Sequence, residues 1–454
     1  MTLSSFDSVE VPIHGDLLTY PVPALNPEKY HNILVKLSES AKEYQLYVVV
    51  NIQEIMNCST AAAAEECTDE EIYRFNTNVV FDRNGAVIDR YRKINLFGEF
   101  SRSPAWKPDL GIFDTDFGVT FGHFICFDLL FQIPAIQVIQ KHNIKDVIFP
   151  TMWFSELPYL TAVEIQEAYA YVEDINFLAA GANSVRVGSA GSGIYSGKAG
   201  ALISIMPGTP TTRLLVARVP KIPGQVTASY PGHQNDDAAT IDNLFMKRDP
   251  SLGAHRSRLL EPGNNEFTLE DHDVKCEFNV TFNYKQSDKV RYMYRAGVLD
   301  GIRTYDGLAT GGVRICSVFA CTNETMESCG LRFDNYAENR TAIFETLQII
   351  AEMPSPKLTN ISAVDSIYFP VSSDVTMMPL RTSMYAFSRK TGAVDEYTFS
   401  LTNSDVEILG FAVWGRVFDR DGQEPTPERD SGVVQSVNLM LLFVAFALVV
   451  FKER

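Results

Sequence analysis

Along residues 26–225 the apolar positions switch between a helical and a strand-like spacing. Tyr30, Leu34, Leu37 and Ala41 recur at helical intervals, which predicts an amphipathic helix. Asn26, Pro27 and Glu28 offer it a capping side chain, a proline at the first helical position and an acid in the first turn. The apolar run 46–51 then reads as a strand. Residues 77–81 and 86–91 read as a hairpin, because Asn84-Gly85 between them favours a tight turn. Further on, 119–127 is expected as a buried strand, 134–142 as a helix, 146–149 as a strand, 161–173 as a helix and 176–182 as a strand. Strands that are apolar throughout and alternate with helices fit a sheet covered on its faces by helices.

The pattern changes near residue 225. Residues 226–260 are rich in Gly, Pro, Asn, Asp and Ser and read as a linker or long surface loop. From 261 to 425 short β-type segments dominate, among them 276–284, 313–319 and 411–418, which predicts a second, mostly β domain. The tail, 430–454, carries small residues at Asp430-Ser-Gly432, a short spacer and an apolar stretch ending at Phe451. A lipid-anchor signal has this order of parts. The uninterrupted apolar run is shorter than the roughly 20 residues of a spanning helix, so a glycolipid anchor leads over a marginal membrane helix and a buried terminal helix.

Composition narrows the function. The 454 residues are 46% hydrophobic and 21% charged, enough to bury a large core. A formal net charge of -17 repels phosphate backbones and excludes nucleic acid as a partner. The seven histidines and seven cysteines show no metal-ligand spacing, and no glycine loop stands before a helix to cradle phosphate. Neither a metal nor an organic cofactor is implied.

The cysteines divide six and one. Cys126 lies in the apolar run Gly122-His-Phe-Ile-Cys-Phe-Asp128. Cys58 and Cys67 bracket a short Ala/Glu-rich loop and read as a local bridge, while Cys276, Cys316, Cys321 and Cys329 allow three pairings between which the sequence does not choose. N-x-S/T acceptors at Asn57, Asn279, Asn323, Asn339 and Asn360 join the cysteines in pointing to the secretory route. Residues 1–8 carry no basic stretch followed by an apolar one, so no signal peptide is read there.

Chemistry concentrates at two places. A thiolate attacks an amide carbon when its proton is removed and the resulting oxyanion meets donors. Cys126 is expected at a strand end ahead of a helix, with the Phe127 N–H beside it as an oxyanion donor; taken by itself, a buried cysteine is more often a core residue. Upstream, Arg90-Tyr-Arg-Lys-Ile-Asn-Leu-Phe-Gly-Glu99 sets Lys93 after a hairpin strand, where its ammonium can lower a thiol pKa and face an oxyanion.

Together these stretches resemble the nitrilase superfamily, whose lysine stands in a Tyr-Arg-Lys-x-x-Leu setting and whose cysteine stands in a Gly-x-x-Ile-Cys-[Phe/Tyr]-Asp setting. Within it the chain resembles the vanin (pantetheinase) and biotinidase branch over nearly all its length. Tyr73-Arg-Phe-Asn-Thr-Asn-Val-Val-Phe-Asp82, Phe149-Pro-Thr-Met-Trp153, Leu157-Pro-Tyr-Leu-Thr-Ala-Val-Glu164, Gly191-Ser-Gly-Ile-Tyr195, Ile315-Cys-Ser-Val-Phe-Ala-Cys321 and Trp414-Gly-Arg-Val-Phe-Asp-Arg420 carry that likeness.

The resemblance implies an α/β fold, a nitrilase-type αββα sandwich over 1–225, followed by a mostly β, disulfide-braced C-terminal domain. It implies Cys126 as nucleophile, Lys93 as its electrostatic partner, Phe127 N–H as oxyanion donor, Glu99 as a supporting glutamate, and Trp153 and Glu164 near the substrate pocket. The reaction implied is hydrolysis of a small-molecule linear amide through a thioester. Pantetheine, giving pantothenate and cysteamine, is the favoured substrate, with biotinyl amides second. The family's third catalytic residue is a glutamate at the end of an early strand. Thr2 to Val9 contain none, and Glu10 sits past the expected place. The expectation is therefore a sandwich incomplete at its N-terminus, in a chain that starts at an internal methionine after both the glutamate and a signal peptide. A secreted or cell-surface binding protein without turnover and a cytosolic amidase are the competing readings.

Overall fold

The computed structural model describes residues 9–11, 22–59, 61, 65, 67, 70–106, 109–234, 238–285, 290–334 and 340–429. The tail at 430–454, read above as a lipid-anchor signal, and the acceptor Asn339 lie outside them.

The first helix, α1, spans Asn32–Tyr44. It starts later than the capping signal at Asn26 predicts: Pro27–Lys29 forms a separate tight turn, and Asn26 makes no side-chain cap. His31 caps α1 instead, its Nδ1 accepting from Ile33 N at 3.3 Å. The apolar face of α1, with Leu34 and Ala41, packs on Val79, Phe81 and Val87. These belong to an antiparallel sheet of β1 (Val48–Asn57), β2 (Ile72–Phe81) and β3 (Val87–Arg92). The hairpin between β2 and β3 forms as the sequence predicts. Asp82 Oδ1 accepts from the N–H groups of Asn84 and Ala86, each at 2.8 Å, and Gly85 takes φ +77°, a value that costs glycine nothing.

A second sheet collects β4 (Gly111–Asp114), β5 (Thr120–His123), β6 (Asp146–Thr151), β8 (Asn176–Gly181), β9 (Ser192–Ser196), β10 (Ala201–Ile205) and β11 (Gly232–Gln234), in the order β11-β10-β9-β8-β6-β5-β4. Its centre, β5-β6-β8, is parallel. Helices α2 (Gln137–His142) and α3 (Ala162–Glu173) make the crossovers. Strand β5 is shorter than the expected 119–127. Its pairing with β6 ends at His123, and Cys126 opens a one-turn helix over Cys126–Leu130.

A two-stranded ribbon of β7 (Glu156–Leu157) and β12 (Lys247–Arg248) leads into the C-terminal half. There β13 (Arg256–Leu259), β14 (Gly263–Asp271), β15 (Val274–Tyr284), β16 (Met293–Tyr305), β17 (Ala309–Cys321), β18 (Ala342–Pro354), β19 (Ser366–Ser373), β20 (Tyr385–Lys390), β21 (Val394–Leu401) and β22 (Gly410–Val417) form two five-stranded antiparallel sheets. The sheet orders are β13-β16-β17-β22-β19 and β14-β15-β18-β21-β20. Segment 226–260 contributes β11 to the seven-stranded sheet and β13 to a C-terminal one.

The three disulfides are Cys58–Cys67, Cys276–Cys316 and Cys321–Cys329, and the second ties β15 to β17 across the two C-terminal sheets. The core is continuous between the halves: Tyr169 on α3 meets Phe369 on β19 with ring centroids 6.4 Å apart. No helix among the described residues is long and apolar enough to cross a membrane.

Candidate active site

Cys126 begins its helical turn with φ +53°, a left-handed conformation that costs a side-chain-bearing residue energy and that clusters where a nucleophile must be presented. The thiol is the free one among the described cysteines and is partly exposed, with Sγ 3.6 Å from the Met152 carbonyl. Helical geometry gives the first amides of the turn, Cys126 and Phe127, no intrahelical acceptor.

The turn is fixed from beneath by Asp128, fully buried. Its carboxylate accepts from Ile125 N at 3.1 Å, Tyr91 Oη at 2.7 Å, and both the backbone N and Nδ2 of Asn95 at 2.9 Å. Asn95 Nδ2 also donates to the Ile133 carbonyl at 2.9 Å. Burial pushes the Asp128 carboxyl up, against the opposing pull of Lys93 and its donors. Tyr91 lies near the end of β3 and Asn95 follows the strand, so one carboxylate clamps the cysteine turn to the segment that carries Lys93.

Lys93 is itself buried, and its Nζ donates to Glu99 Oε2 at 2.7 Å. Burial works against its charge, yet the attraction of Cys126, then Glu99 and Asp128, holds its pKa above the ordinary value. Glu99 is oriented in turn by Asn76, whose Nδ2 donates to Oε1, and by Phe97 N at 3.3 Å from Oε2. The chain places Cys126, Lys93, Glu99 and Phe127 in one neighbourhood, an ammonium beside a thiol and a carboxylate steering the ammonium.

Over Cys126 opens a small cleft of about 30 Å³ lined by Phe97, Phe127, Leu130, Trp153, Leu160, Tyr305 and neighbouring residues. Phe97 and Phe127 have centroids 4.9 Å apart, and Phe127 and Tyr305 5.3 Å. Trp153 is a wall of this cleft, fixed by Nε1 donating to the Leu160 carbonyl at 3.0 Å. Glu164 is not among the cleft's lining residues: its Oε2 accepts from Thr161 N at 3.1 Å at the start of α3, and burial pushes its pKa up to about 8. Glu10 is exposed, beside the bridge from Val9 to Glu54.

Asn57 ends β1, and Asn279, Asn323 and Asn360 are exposed. Among the described residues no group of three His, Cys, Asp or Glu could hold a metal ion.

The residues that sequence reasoning missed are Asp128, Asn95 and Asn76, which orient the candidates, and Glu156 and Tyr305 in the cleft. A carboxylate two residues past the cysteine in an apolar run was a visible signal. Tyr305 lies 179 positions from Cys126 by their numbering, with no local pattern to connect them.

Residues 19–187 match the carbon-nitrogen hydrolase family, and residues 244–421 match the vanin C-terminal domain. Vanin-like protein 1 of Drosophila melanogaster is 33% identical over 92% of this chain and 78% of its own length. Human biotinidase is 31% identical over 71% of this chain and 63% of its own, and pig pantetheinase 27% over 88% and 73%. The chain belongs to the vanin-like family, hydrolases of the nitrilase superfamily that act on carbon–nitrogen bonds other than peptide bonds.

Proposed function

We propose that the protein hydrolyses a linear amide through a thioester on Cys126, with pantetheine, cleaved to pantothenate and cysteamine, as the favoured substrate. The observation that carries this is a strained, partly exposed Cys126 facing a cleft, with the buried Lys93 ammonium beside it. The thiolate attacks the amide carbon, the C–N bond breaks, and the thiol proton is carried to the departing amine by a general base, the role the family gives to its early-strand glutamate. Water then cleaves the thioester, restoring the thiol and releasing the acid. Lys93 and the Phe127 N–H meet the oxyanion in both steps. Glu99 keeps Lys93 aimed, and Trp153 with the Phe97–Phe127 pair shields the thioester from bulk water.

The pantetheinase and biotinidase relatives support both substrates, and the pantetheinase likeness extends over 88% of this chain against 71% for the biotinidase one. Turnover of pantetheine and of biotinyl-lysine by the purified protein tests this. Preference for pantetheine by kcat/KM supports the reading, and preference for the biotinyl amide replaces it. The three disulfides and the exposed acceptors at Asn279, Asn323 and Asn360 support a secreted or cell-surface, glycosylated protein. The lipid anchor read in the tail is tested by release from cells with a phosphatidylinositol-specific phospholipase.

A further inference from the structure

We infer that the buried pair Asp89 and His123 acts as a positioning device that fixes Lys93 against Cys126. This rests on the amidase reading above and names residues that aim its two reacting groups. Lys93 follows β3 and Cys126 follows β5, and the two strands belong to different sheets. Among the described residues no backbone ladder joins those sheets, so the spacing of ammonium and thiol depends on side chains that cross between the layers. Asp128, two residues after Cys126, makes one such crossing through Tyr91 and Asn95. A turn held on one side only is free to pivot about that point. Asp89 and His123 supply the second point, on the other side of the thiol: His123 stands three residues before Cys126, and Asp89 four before Lys93.

Both side chains are buried, and His123 Nε2 lies 2.7 Å from Asp89 Oδ2. Asn78 on β2 fixes the tautomer. Its Oδ1 accepts from Asn51 Nδ2 at 3.2 Å, which turns its own Nδ2 toward His123 Nδ1 at 3.3 Å. Nδ1 therefore accepts, and Nε2 carries the proton donated to Asp89. The imidazole meets the Tyr91 ring edge-on, centroids 5.9 Å apart, and the Tyr91 hydroxyl holds Asp128, so the two crossings brace each other. Gly111 on β4 leaves room for the ring: a Cβ there would stand 2.7 Å from His123 Nε2. Stability alone does not call for a polar pair at this place, since burying an acid and an imidazole costs desolvation that an apolar pair of similar size avoids. A directional bond does what apolar contact does not: it sets the register of β3 on β5, and with it the distance from Lys93 to Cys126.

The test is the rate at which iodoacetamide alkylates Cys126 at pH 7, followed by intact mass, with circular dichroism to confirm folding. Asp89→Val combined with His123→Leu removes the crossing without leaving either partner buried and unpaired. It is expected to react about ten-fold more slowly than wild type, the effect of a displaced ammonium on the thiolate. Added to Lys93→Met, the same two substitutions should change the rate by less than about two-fold, because residues that act through one group are not additive. Asp89→Ser, too short to reach Nε2, is expected to show the same coupling and carries the test if the apolar pair does not fold. Asp89→Asn, whose side-chain oxygen still accepts from Nε2, should stay within about two-fold of wild type. Equal slowing with and without Lys93 marks a general effect on the fold and overturns the inference. No slowing in either background, or an Asp89→Asn protein as slow as Asp89→Ser, also overturns it. Alkylation involves no amide: coupling in a protein that hydrolyses nothing supports the pair and counts against the amidase reading, and hydrolysis without coupling does the reverse.

Discussion

Asp128 accepts two hydrogen bonds from Asn95, one from its backbone N and one from its Nδ2, each at 2.9 Å, and so joins the turn that presents Cys126 to the segment that carries Lys93. Asp128→Asn puts an amide donor against at least one of four existing donors. The expected loss is about a hundred-fold in kcat/KM, the scale on which a small displacement of reacting groups acts. Asn95→Ala, which removes only the side-chain half of the contact, should lose less. Steady-state kinetics on both variants, with circular dichroism to confirm folding, check the order.

In the proposed mechanism Lys93 supplies charge where the oxyanion forms. Lys93→Met is expected to lower kcat by roughly 10²–10³-fold and to slow alkylation of Cys126 at pH 7, because the thiolate loses its neighbouring cation. Glu99→Gln leaves the lysine in place but less well aimed, and a loss of about ten-fold is expected, one hydrogen bond to a charged group. Equal effects of the two substitutions would contradict the division of labour between them.

Stability should fall as pH rises through the neutral range. Burial pushes Glu164 and Glu167 from an ordinary 4.5 up to about 8. Between those values the folded chain keeps protons that the unfolded chain has lost, so the folded state is favoured at the acid side and loses that advantage as pH climbs to about 8. Each group contributes a slope of about 1.4 kcal/mol per pH unit. His233 works in the opposite sense: burial and Arg381 lower it from 6.5 to about 4, so its contribution is complete above pH 6.5 and is lost below. Melting temperatures from pH 6.5 to 8.5 isolate the carboxyls, and Glu167→Gln should flatten the decline.

The bridge Cys276–Cys316 closes 40 residues between the two C-terminal sheets. Replacing both cysteines by alanine is expected to cost about 4 kcal/mol of stability. Chemical denaturation measures it. A loss about 1.3 kcal/mol larger than the loss from opening the nine-residue Cys58–Cys67 loop is the expected ranking.

Much of this was legible in the sequence, and the boundary follows physical lines. The hairpin at Asn84-Gly85 and helix α3 were readable because turn chemistry and apolar periodicity are local. The start of α1 was not, since a proline turn at Pro27–Lys29 competed with the cap and His31 took over. The strand expected through residue 127 stopped at His123 because apolar residues fill the sharp turn at Cys126 as well as the strand before it, and composition does not distinguish the two. Local motifs marked Cys126 and Lys93. The cleft did not show, because Glu156 and Tyr305 meet only when the C-terminal sheets pack against the hydrolase-side sheet, and Glu164 followed a motif whose capping role at α3 left it away from the cleft lining.

Intact-mass analysis of the purified protein, mixed rapidly with pantetheine and quenched in acid, tests the central claim most directly. A transient adduct of the pantothenoyl group, mapped by peptide fragmentation to Cys126 and absent from Cys126→Ala, is the predicted result. Hydrolysis by Cys126→Ala at the wild-type rate, or an adduct on another residue, would contradict it.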